Sequence, residues 1–282
     1  TPKNSEKPST VLHMYNWDRV IYDEAHHLRN METAVHVGAT KLKAKFRWLI
    51  TGTPIQNRFS DFYALCAVMG MKSDYYTKPE SLREIATNCI LRRSKDRVGL
   101  VLPSLHVHNI EVAWGNDEER ELALDIHSLL QFSKVTSKNV DSAISALDND
   151  ILALLIRARQ LCVYPKLLEK HVKKLTELGL LESADKCNRA IMHSSKLDAV
   201  CEKIRQQGKE KNKLIFCHFR AEIDELKRRL ESDFTVQSFD GRTSLVRRQE
   251  ILTNPCEVLI LQIQTGCEGL NLQQFNEVYF VS

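Results

Sequence analysis

The chain contains no apolar run of about 18 residues or more, the length that a membrane-spanning helix needs, so no transmembrane segment is predicted. Its first residues, Thr1 to Ser9, are polar and lack the apolar stretch of a signal peptide. The formal net charge is only +4, which neither requires nor excludes a polyanionic partner. Any basic binding surface must therefore be local.

Patterns typical of metal centres are missing as well. The eight cysteines include no Cys-x-x-Cys pair, and no histidine pair follows them at zinc-ligand spacing. We therefore expect no zinc site and interpret the cysteines as free thiols in a reducing compartment. The nucleus, the cytosol or a viral replication compartment would fit this expectation.

The predicted elements divide the chain into three parts. Residues 1–114 and 195–282 alternate buried apolar strands with helices, which is typical of α/β domains with parallel sheets. Residues 115–194 are nearly free of glycine and consist of charged–apolar segments with helical periodicity. The predicted fold class is therefore α/β, with two parallel-sheet domains separated by a helical region.

The individual predictions follow from apolar runs, periodicity and turn residues. The predicted strands are Trp17–Asp23, Phe46–Ile50, Cys89–Arg93, His106–Ala113, Lys213–Cys217, Phe234–Phe239, Val258–Gln262 and Val278–Val281. The predicted helices are Met31–Leu42, one that begins at Ser60, 118–135, 140–162, 166–178, 184–192, Lys196–Gln206, Arg220–Leu230 and Leu245–Leu252.

Two adjacent carboxylates end the first predicted strand. Asp23 and Glu24 follow an apolar run, so the strand delivers both acids to the edge of a sheet. Nucleoside triphosphatases carry their magnesium-binding carboxylate at such a strand end. We expect Asp23 to hold Mg²⁺ through water and Glu24 to position the attacking water. His26 either couples this site to a neighbouring domain or caps the following helix. The alternative is an acidic strand end without a catalytic role.

The next predicted strand ends in a turn with two hydroxyl groups. Thr51, Gly52, Thr53 and Pro54 follow it, and Gln56 comes shortly after. Hydroxyl groups beside a flexible glycine and a rigid proline suit a relay between a γ-phosphate and a moving domain. The alternative is a sharp turn only, but the amide side chains after the turn favour the relay.

These motifs, taken in order, resemble those of the Swi/Snf-type DNA-translocating ATPases, a branch of helicase superfamily two. Thr51–Asn57 is similar to the third helicase motif of that family. Residues 91–103, 156–165, 194–219, 240–248 and 266–272 resemble later motifs. The resemblance extends over nearly the whole chain from Trp17 onward. It implies two RecA-like lobes, both incomplete, with residues 1–114 in the first and 195–282 in the second. It also implies ATP and Mg²⁺ as cofactors and translocation along double-stranded DNA.

The resemblance further implies that the loop from Gly266 to Leu272 grips DNA. Small residues let backbone amides approach phosphates closely, although a plain glycine-rich turn is the alternative. The residues expected to contact the DNA backbone or the nucleotide are Thr265, Gly266, Gly269 and Asn271. Arg248 contacts a phosphate or lies on a solvated helix face. Glu268 departs from the family pattern and adds a negative charge to this loop.

Three parts that relatives carry are not found in the sequence. The phosphate-binding G-x-G-K-T loop and the last arginine motif do not occur. We therefore interpret the chain as an internal fragment and expect it to be inactive alone. Residues 116–194 contain only two cysteines, so the RING finger of ubiquitin-ligase relatives is not supported either.

Two functions from different classes remain. The first is part of an ATP-dependent double-stranded-DNA translocase, with chromatin or transcription proteins as further partners and remodelling, repair, transcription or viral gene expression as its task. The second is a non-catalytic DNA- or protein-binding scaffold derived from such an ATPase. An RNA helicase of the DEAH class is disfavoured, because such enzymes usually carry Ser-Ala-Thr where Thr51, Gly52 and Thr53 stand.

Overall fold

The computed structural model describes residues 10–130, 149–177, 183–265 and 269–282. The chain forms two compact units, Thr1–His106 and Val107–Ser282. Each unit contains one parallel sheet, so the predicted α/β fold class is confirmed. In the described ranges no helix is long and apolar enough to cross a membrane.

The first unit is built on two parallel strands joined by a crossover helix. The strands are β1 (Asn16–Tyr22) and β2 (Lys43–Leu49). The helices are α1 (Ala34–Lys41), α2 (Phe59–Val68), α3 (Ser73–Tyr76) and α4 (Pro79–Cys89), with 3₁₀ turns at Val11–Met14, Ala25–Leu28 and Asp96–Val98. The register pairs Tyr22 with Leu49, so both strands end at the same edge. Any groups that follow the two strands therefore lie close together.

One side of this sheet is packed, and the other is open. Ala25, Leu28, Ala39 and Leu65 are buried beneath the strand ends. Apolar side chains on the other side remain exposed, as Trp48 shows with 56% exposure. The residues that position the two strand ends are therefore fixed from one side.

Two strand predictions in this part of the chain are wrong. The predicted strand Cys89–Arg93 begins at the last residue of α4, and residues 90–93 form no strand. His106–Ala113 alternates apolar and polar residues but forms no strand either. Alternation fixes which side chains share a face, whereas a strand also needs a neighbour to pair with. The helix predicted from Met31 begins only at Ala34, because Thr33 accepts the His36 N–H and caps it there.

The second unit carries a helical region followed by a four-stranded sheet. The helices are α5 (Asp117–Leu129), α6 (Asn149–Val163), α7 (Val172–Glu177), α8 (Ala184–Ala190), α9 (Ser195–Gln206), α10 (Arg220–Leu230) and α11 (Leu245–Thr253), with a 3₁₀ segment at Pro165–His171. The strands are β3 (Lys213–Cys217), β4 (Val236–Phe239), β5 (Val258–Gln262) and β6 (Glu277–Phe280), all parallel in the order β4-β5-β3-β6. Parts of the helices predicted at 118–135, 140–162 and 166–178 lie outside the described residues.

The central strands of this sheet are covered on both faces. Every residue of β5 is buried. Ile215 and Ile260 pack with α9 and α10 on one face, while Leu259 and Leu261 pack with Ile251 of α11 on the other. Burial on both faces explains why these strands are continuous apolar runs in the sequence. The sheet thus holds the carboxyl ends of its strands on a rigid base.

Candidate nucleotide-hydrolysis site

The two predicted catalytic acids lie at the carboxyl end of β1. Asp23 directly follows the last strand residue and is exposed, and Glu24 is half-buried. The Ile50 N–H donates to the Tyr22 carbonyl at 2.9 Å, and the Ala25 N–H donates to the Ile50 carbonyl at 2.9 Å. These two hydrogen bonds hold the ends of β1 and β2 side by side. Acids from one strand and hydroxyl groups from the other therefore reach one edge.

Glu24 has a left-handed backbone, with φ 46° and ψ 47°. Among the described residues it alone has positive φ without being glycine. This conformation costs roughly 1–2 kcal/mol for a residue with a Cβ, so the surrounding structure must hold it. Its N–H donates to Asp23 Oδ1 at 2.9 Å, which fixes the two acids relative to each other. Strain of this kind is concentrated at functional sites.

His26 lies between the acids and the hydroxyl loop. The residue is buried, with 6% exposure. Its Nδ1 lies 3.4 Å from Glu24 Oε2 and 3.1 Å from Thr51 Oγ1. A protonated Nδ1 donates to either oxygen, and an unprotonated Nδ1 accepts from the Thr51 hydroxyl. His26 therefore links Glu24, one of the two predicted catalytic acids, to Thr51, the first predicted coupling residue.

The predicted coupling residues are connected to one another by hydrogen bonds. Thr51 Oγ1 accepts the Thr53 N–H at 3.2 Å, and Gln56 Nε2 donates to Thr53 Oγ1 at 3.3 Å. Arg29 Nη1 donates to Gln56 Oε1. A Cβ added at Gly52 would meet nothing within 4 Å, so that position lies in open space. A continuous polar chain thus runs from His26 through the loop to Arg29.

Asp61 organises this loop, a role that the sequence analysis missed. It stands in the first turn of α2 and is buried, with 7% exposure. Its Oδ2 accepts the N–H groups of Gln56, Asn57 and Arg58 at 3.1, 2.9 and 3.3 Å. The bond from the Asn57 N–H is the largest of the influences that lower the pKa of the Asp61 carboxyl, against the opposing effect of burial. An acid at a helix start is the available sequence signal, since it seeks free N–H groups.

The predicted DNA-contacting residues of the second unit follow β4 and β5. Arg248 on α11 donates to the carbonyls of Asp240, Thr243 and Thr265 at 3.0–3.1 Å. Its guanidinium lies 5.5 Å from the ring centre of Phe239. Arg248 therefore ties together the two loops that leave β4 and β5.

The remaining residues of the loop after β5 are placed as follows. The Thr265 hydroxyl donates to the Gln262 carbonyl at 2.8 Å. Gly269 has φ +72°, and Asn271 is exposed, its Oδ1 accepting the Gln273 N–H at 3.4 Å. Gly266 lies outside the described residues, as does Glu268.

A second group at this edge was also missed from the sequence. Gln262 accepts the Gly241 N–H at 3.3 Å and donates to the His218 carbonyl at 2.9 Å, which links the ends of three strands. Arg242 donates to both Asp240 and Asp224. The hydrogen bond from Arg242 lowers the pKa of the Asp240 carboxyl. Ligands of open α/β sheets bind at such carboxyl ends.

Two family models match the parts of the chain that contain these residues. A model described as an SNF2-related domain matches residues 3–75, which contain both acids and the hydroxyl loop. A model described as a helicase conserved C-terminal domain matches residues 195–282, which contain the four-stranded sheet. The chain is therefore similar to SNF2-related domains in its first unit and to helicase C-terminal domains in its second.

Relatives of this chain include helicase-like proteins. It is 26% identical to a probable global transactivator of Orgyia pseudotsugata multicapsid polyhedrosis virus, with 93% of the chain and 55% of the relative covered. It is 29% identical to an uncharacterized ATP-dependent helicase of Mycoplasma pneumoniae, with 90% and 24% covered. The chain thus spans about half or less of these relatives.

A solved SWI2/SNF2 ATPase core of Sulfolobus solfataricus in complex with dsDNA has 22% identity and a TM-score of 0.44. This comparison covers 96% of the present chain and 59% of the solved one.

The two acids at the end of β1 fit the ligand preferences of a magnesium ion. Magnesium takes hard oxygen ligands and is bound through one or two carboxylates, together with waters and substrate phosphates. Asp23 is exposed at the strand end, which leaves room for those further ligands. In the part of the chain that the structure describes, no group of three or more His, Cys, Asp and Glu residues could hold a metal. A carboxylate that shares the ion with a nucleotide fits this donor set.

Proposed function

We propose that this chain is part of an ATP-dependent motor that hydrolyses ATP to move along double-stranded DNA. One observation carries the proposal: two acids at the end of β1 are joined, through buried His26, to the hydroxyl loop at the end of β2. A hydrolysis site with a built-in link to a neighbouring loop is what coupling of ATP turnover to movement requires. The similarity of residues 3–75 to SNF2-related domains and of residues 195–282 to helicase C-terminal domains supports the same function.

Each residue of the site receives a role that its geometry supports. Asp23 would hold Mg²⁺ through water, and the bound ion would supply positive charge to the transferring phosphate. Glu24 orients the attacking water and accepts its proton. His26 transmits the state of Glu24 to Thr51, and Thr53 and Gln56 extend the link along the loop. Arg29, which directly follows the 3₁₀ turn Ala25–Leu28, is the last residue of this link.

DNA contacts are assigned to the loop after β5. Thr265, Gly266, Gly269 and Asn271 present backbone amides or small side chains to phosphates. Arg248 fixes this loop through its hydrogen bonds to the carbonyls of Thr265 and Asp240. The guanidinium has five N–H donors, and those that do not bond a carbonyl can donate to a phosphate. Residues 1–114 then form part of the first lobe, 115–194 the helical linker and 195–282 part of the second lobe. A nuclear or viral replication compartment is the corresponding location, with chromatin or transcription proteins as further partners.

The test uses the full-length protein. ATP hydrolysis is measured with and without double-stranded DNA for the wild type, Glu24→Gln and Glu32→Gln. Glu32 is an exposed acid in the same segment and serves as the matched control. We expect duplex DNA to stimulate the wild type and Glu24→Gln to lower kcat by about 10²–10⁴-fold, while ATP still binds. Glu32→Gln should match the wild type.

Three results would count against the proposal. Wild-type turnover by Glu24→Gln would remove the catalytic role, and DNA binding without stimulated hydrolysis would favour the scaffold. Stimulation by RNA alone would favour an RNA helicase. The 282-residue chain by itself should not hydrolyse ATP, because its sequence contains no phosphate-binding Gly-Lys loop to cradle the β- and γ-phosphates.

A further inference from the structure

A group of basic side chains lies in the helical region, away from the sites described above. It comprises Arg157 on α6, and Lys170, His171 and Lys174 around the junction of the 3₁₀ segment with α7. We call these four residues the helical basic cluster. Lys170 and Lys174 are exposed, and Arg157 and His171 are half-buried. The cluster is therefore anchored in the fold and open to solvent.

The charges of the cluster act on one another. Burial lowers the pKa of His171 first, and Arg157, Lys174 and Lys170 lower it further by repulsion. Lys170, His171 and Lys174 fall within five consecutive residues, and the segment that carries them packs on α6 beside Arg157, where Ala158 and Leu161 are buried together with Leu168 and Val172. Burial also lowers the pKa of Arg157, which shows that water screens its guanidinium only in part.

Carboxylates do not balance these charges. Across the described ranges, Arg157, Lys170 and Lys174 have no carboxylate within 4.0 Å. Neighbouring cations do have such partners: Lys186, for example, lies 3.1 Å from both Glu121 and Asp125. Like charges held together without counter-charges destabilise a fold, so an external anion would be bound favourably there.

The cluster is separate from the loop edge of the sheet. Arg159, on the same helix as Arg157, has its Nη2 3.2 Å from Nδ1 of His218 at the end of β3. Two positions along an α-helix differ by about 200° around its axis, so Arg157 lies on nearly the opposite side of α6 from Arg159. An anion bound at the cluster therefore cannot be the one bound by the loop after β5.

We propose that the helical basic cluster binds the phosphate backbone of double-stranded DNA, as a contact separate from the loop after β5. This inference rests on the proposed function for its choice of polyanion. Duplex DNA carries one negative charge per roughly 1.7 Å, a density that can match several close cations at once. The ring in the cluster, the imidazole of His171, is half-buried, and the exposed groups are the ammonium groups of Lys170 and Lys174, so the cluster suits backbone phosphates better than splayed bases.

The experiment compares two double variants of the full-length protein in duplex-DNA binding at several salt concentrations. Lys170→Gln/Lys174→Gln removes two cluster charges. Lys209→Gln/Lys211→Gln is the matched control, since it removes two exposed lysines of the same unit with the same change in net charge. We expect the cluster variant to lower the slope of log affinity against log salt by about 2 and to weaken binding about tenfold or more near physiological salt. The control should change both quantities far less.

A second measurement uses the wild type alone. Acetylation of lysines is followed by mass spectrometry, and duplex DNA should protect Lys170 and Lys174 more than Lys209 and Lys211. Equal effects of the two double variants would overturn the inference, as would protection by single-stranded DNA or RNA but not by duplex. A wild type that binds no duplex DNA overturns it too. If duplex binding depends on the cluster but DNA fails to stimulate ATP hydrolysis, the proposed motor function is wrong, whereas the proposed DNA binding by the cluster is supported.

Discussion

Asp61 allows the most direct test of how the hydroxyl loop is held. One carboxylate oxygen, Oδ2, collects the N–H groups of Gln56, Asn57 and Arg58. Replacement by alanine leaves these three donors without their acceptor and frees the loop that carries Gln56. Replacement by asparagine keeps an oxygen but removes its charge. Both variants act on the proposed coupling residues and leave the proposed catalytic acids, Asp23 and Glu24, unchanged.

The size of the effect follows from the charge and number of these hydrogen bonds. A hydrogen bond to an ionised acceptor contributes about 1.5–3 kcal/mol, but three donors on one oxygen do not add fully. We expect Asp61→Ala to destabilise the loop by about 2–4 kcal/mol and Asp61→Asn by about 1–2 kcal/mol. Because each 1.4 kcal/mol is tenfold, the loop amides should exchange roughly 30–700 times faster in Asp61→Ala and 5–30 times faster in Asp61→Asn.

Hydrogen–deuterium exchange of the peptide that contains residues 56–58, in the full-length protein at neutral pH, measures this directly. Asp74→Asn is the control, because Asp74 is an exposed acid in the first turn of α3. DNA-stimulated ATP hydrolysis should fall in the Asp61 variants and not in the control. Unchanged exchange at residues 56–58 in Asp61→Ala would refute the argument that this carboxylate orders the loop.

Three further predictions concern pH and the second unit. The pKa of Asp61 is lowered in the folded protein, so its carboxylate stabilises the loop at pH values above the unfolded-state pKa of about 3.9. This stabilisation is lost as the pH falls through the folded-state pKa. The difference in amide exchange between wild type and Asp61→Asn should therefore disappear in strong acid. Glu222 is fully buried, and burial raises the pKa of its carboxyl. Its contribution to stability is therefore present below about pH 4.3 and is lost as the pH rises through the folded-state pKa. Glu222→Gln should raise the unfolding temperature at neutral pH but not near pH 4, and a decrease at neutral pH would contradict this argument. Arg248→Lys should lower the unfolding temperature of the DNA-free protein, because an ammonium group cannot reach all three carbonyls that Arg248 bonds; we expect the free energy of unfolding to fall by about 2–3 kcal/mol. An unchanged melting curve would show that Arg248 does not hold the two loops together.

The strands of the second sheet could be predicted from the sequence because both of their faces are buried. Lys213–Cys217 and Val258–Gln262 are apolar runs whose bounds agree with β3 and β5. The alternation at 106–113 carried less information, since it describes faces and not pairing. The burial of a strand can thus be predicted from the residues of that strand alone, whereas its pairing depends on a second segment of the chain.

The candidate site was predictable to a similar degree. Adjacent acids after an apolar run indicate a strand end, and the structure places Asp23 and Glu24 there. The left-handed backbone of Glu24 and the contact between His26 and Thr51 depend on the register of β1 and β2, which no single motif encodes. The role of Arg248 was open for the same reason: carbonyl acceptors carry no sequence signal, because every residue has one.

The two units hold their strand-end loops with charges of opposite sign. In the first, the Asp61 carboxylate gathers backbone N–H groups, and in the second, the Arg248 guanidinium gathers backbone carbonyls. A loop bound through its N–H groups to one carboxylate is sensitive to any competing anion, because a phosphate is an acceptor for the same donors. In the second unit the loop N–H groups are bonded as well: the Gly241 N–H donates to Gln262 Oε1, and the Thr265 N–H donates to the Gln262 carbonyl. The proposed coupling loop depends on one carboxylate and is suited to change with the nucleotide, whereas the proposed DNA-contacting loop is held by several bonds of both kinds and is suited to keep its shape.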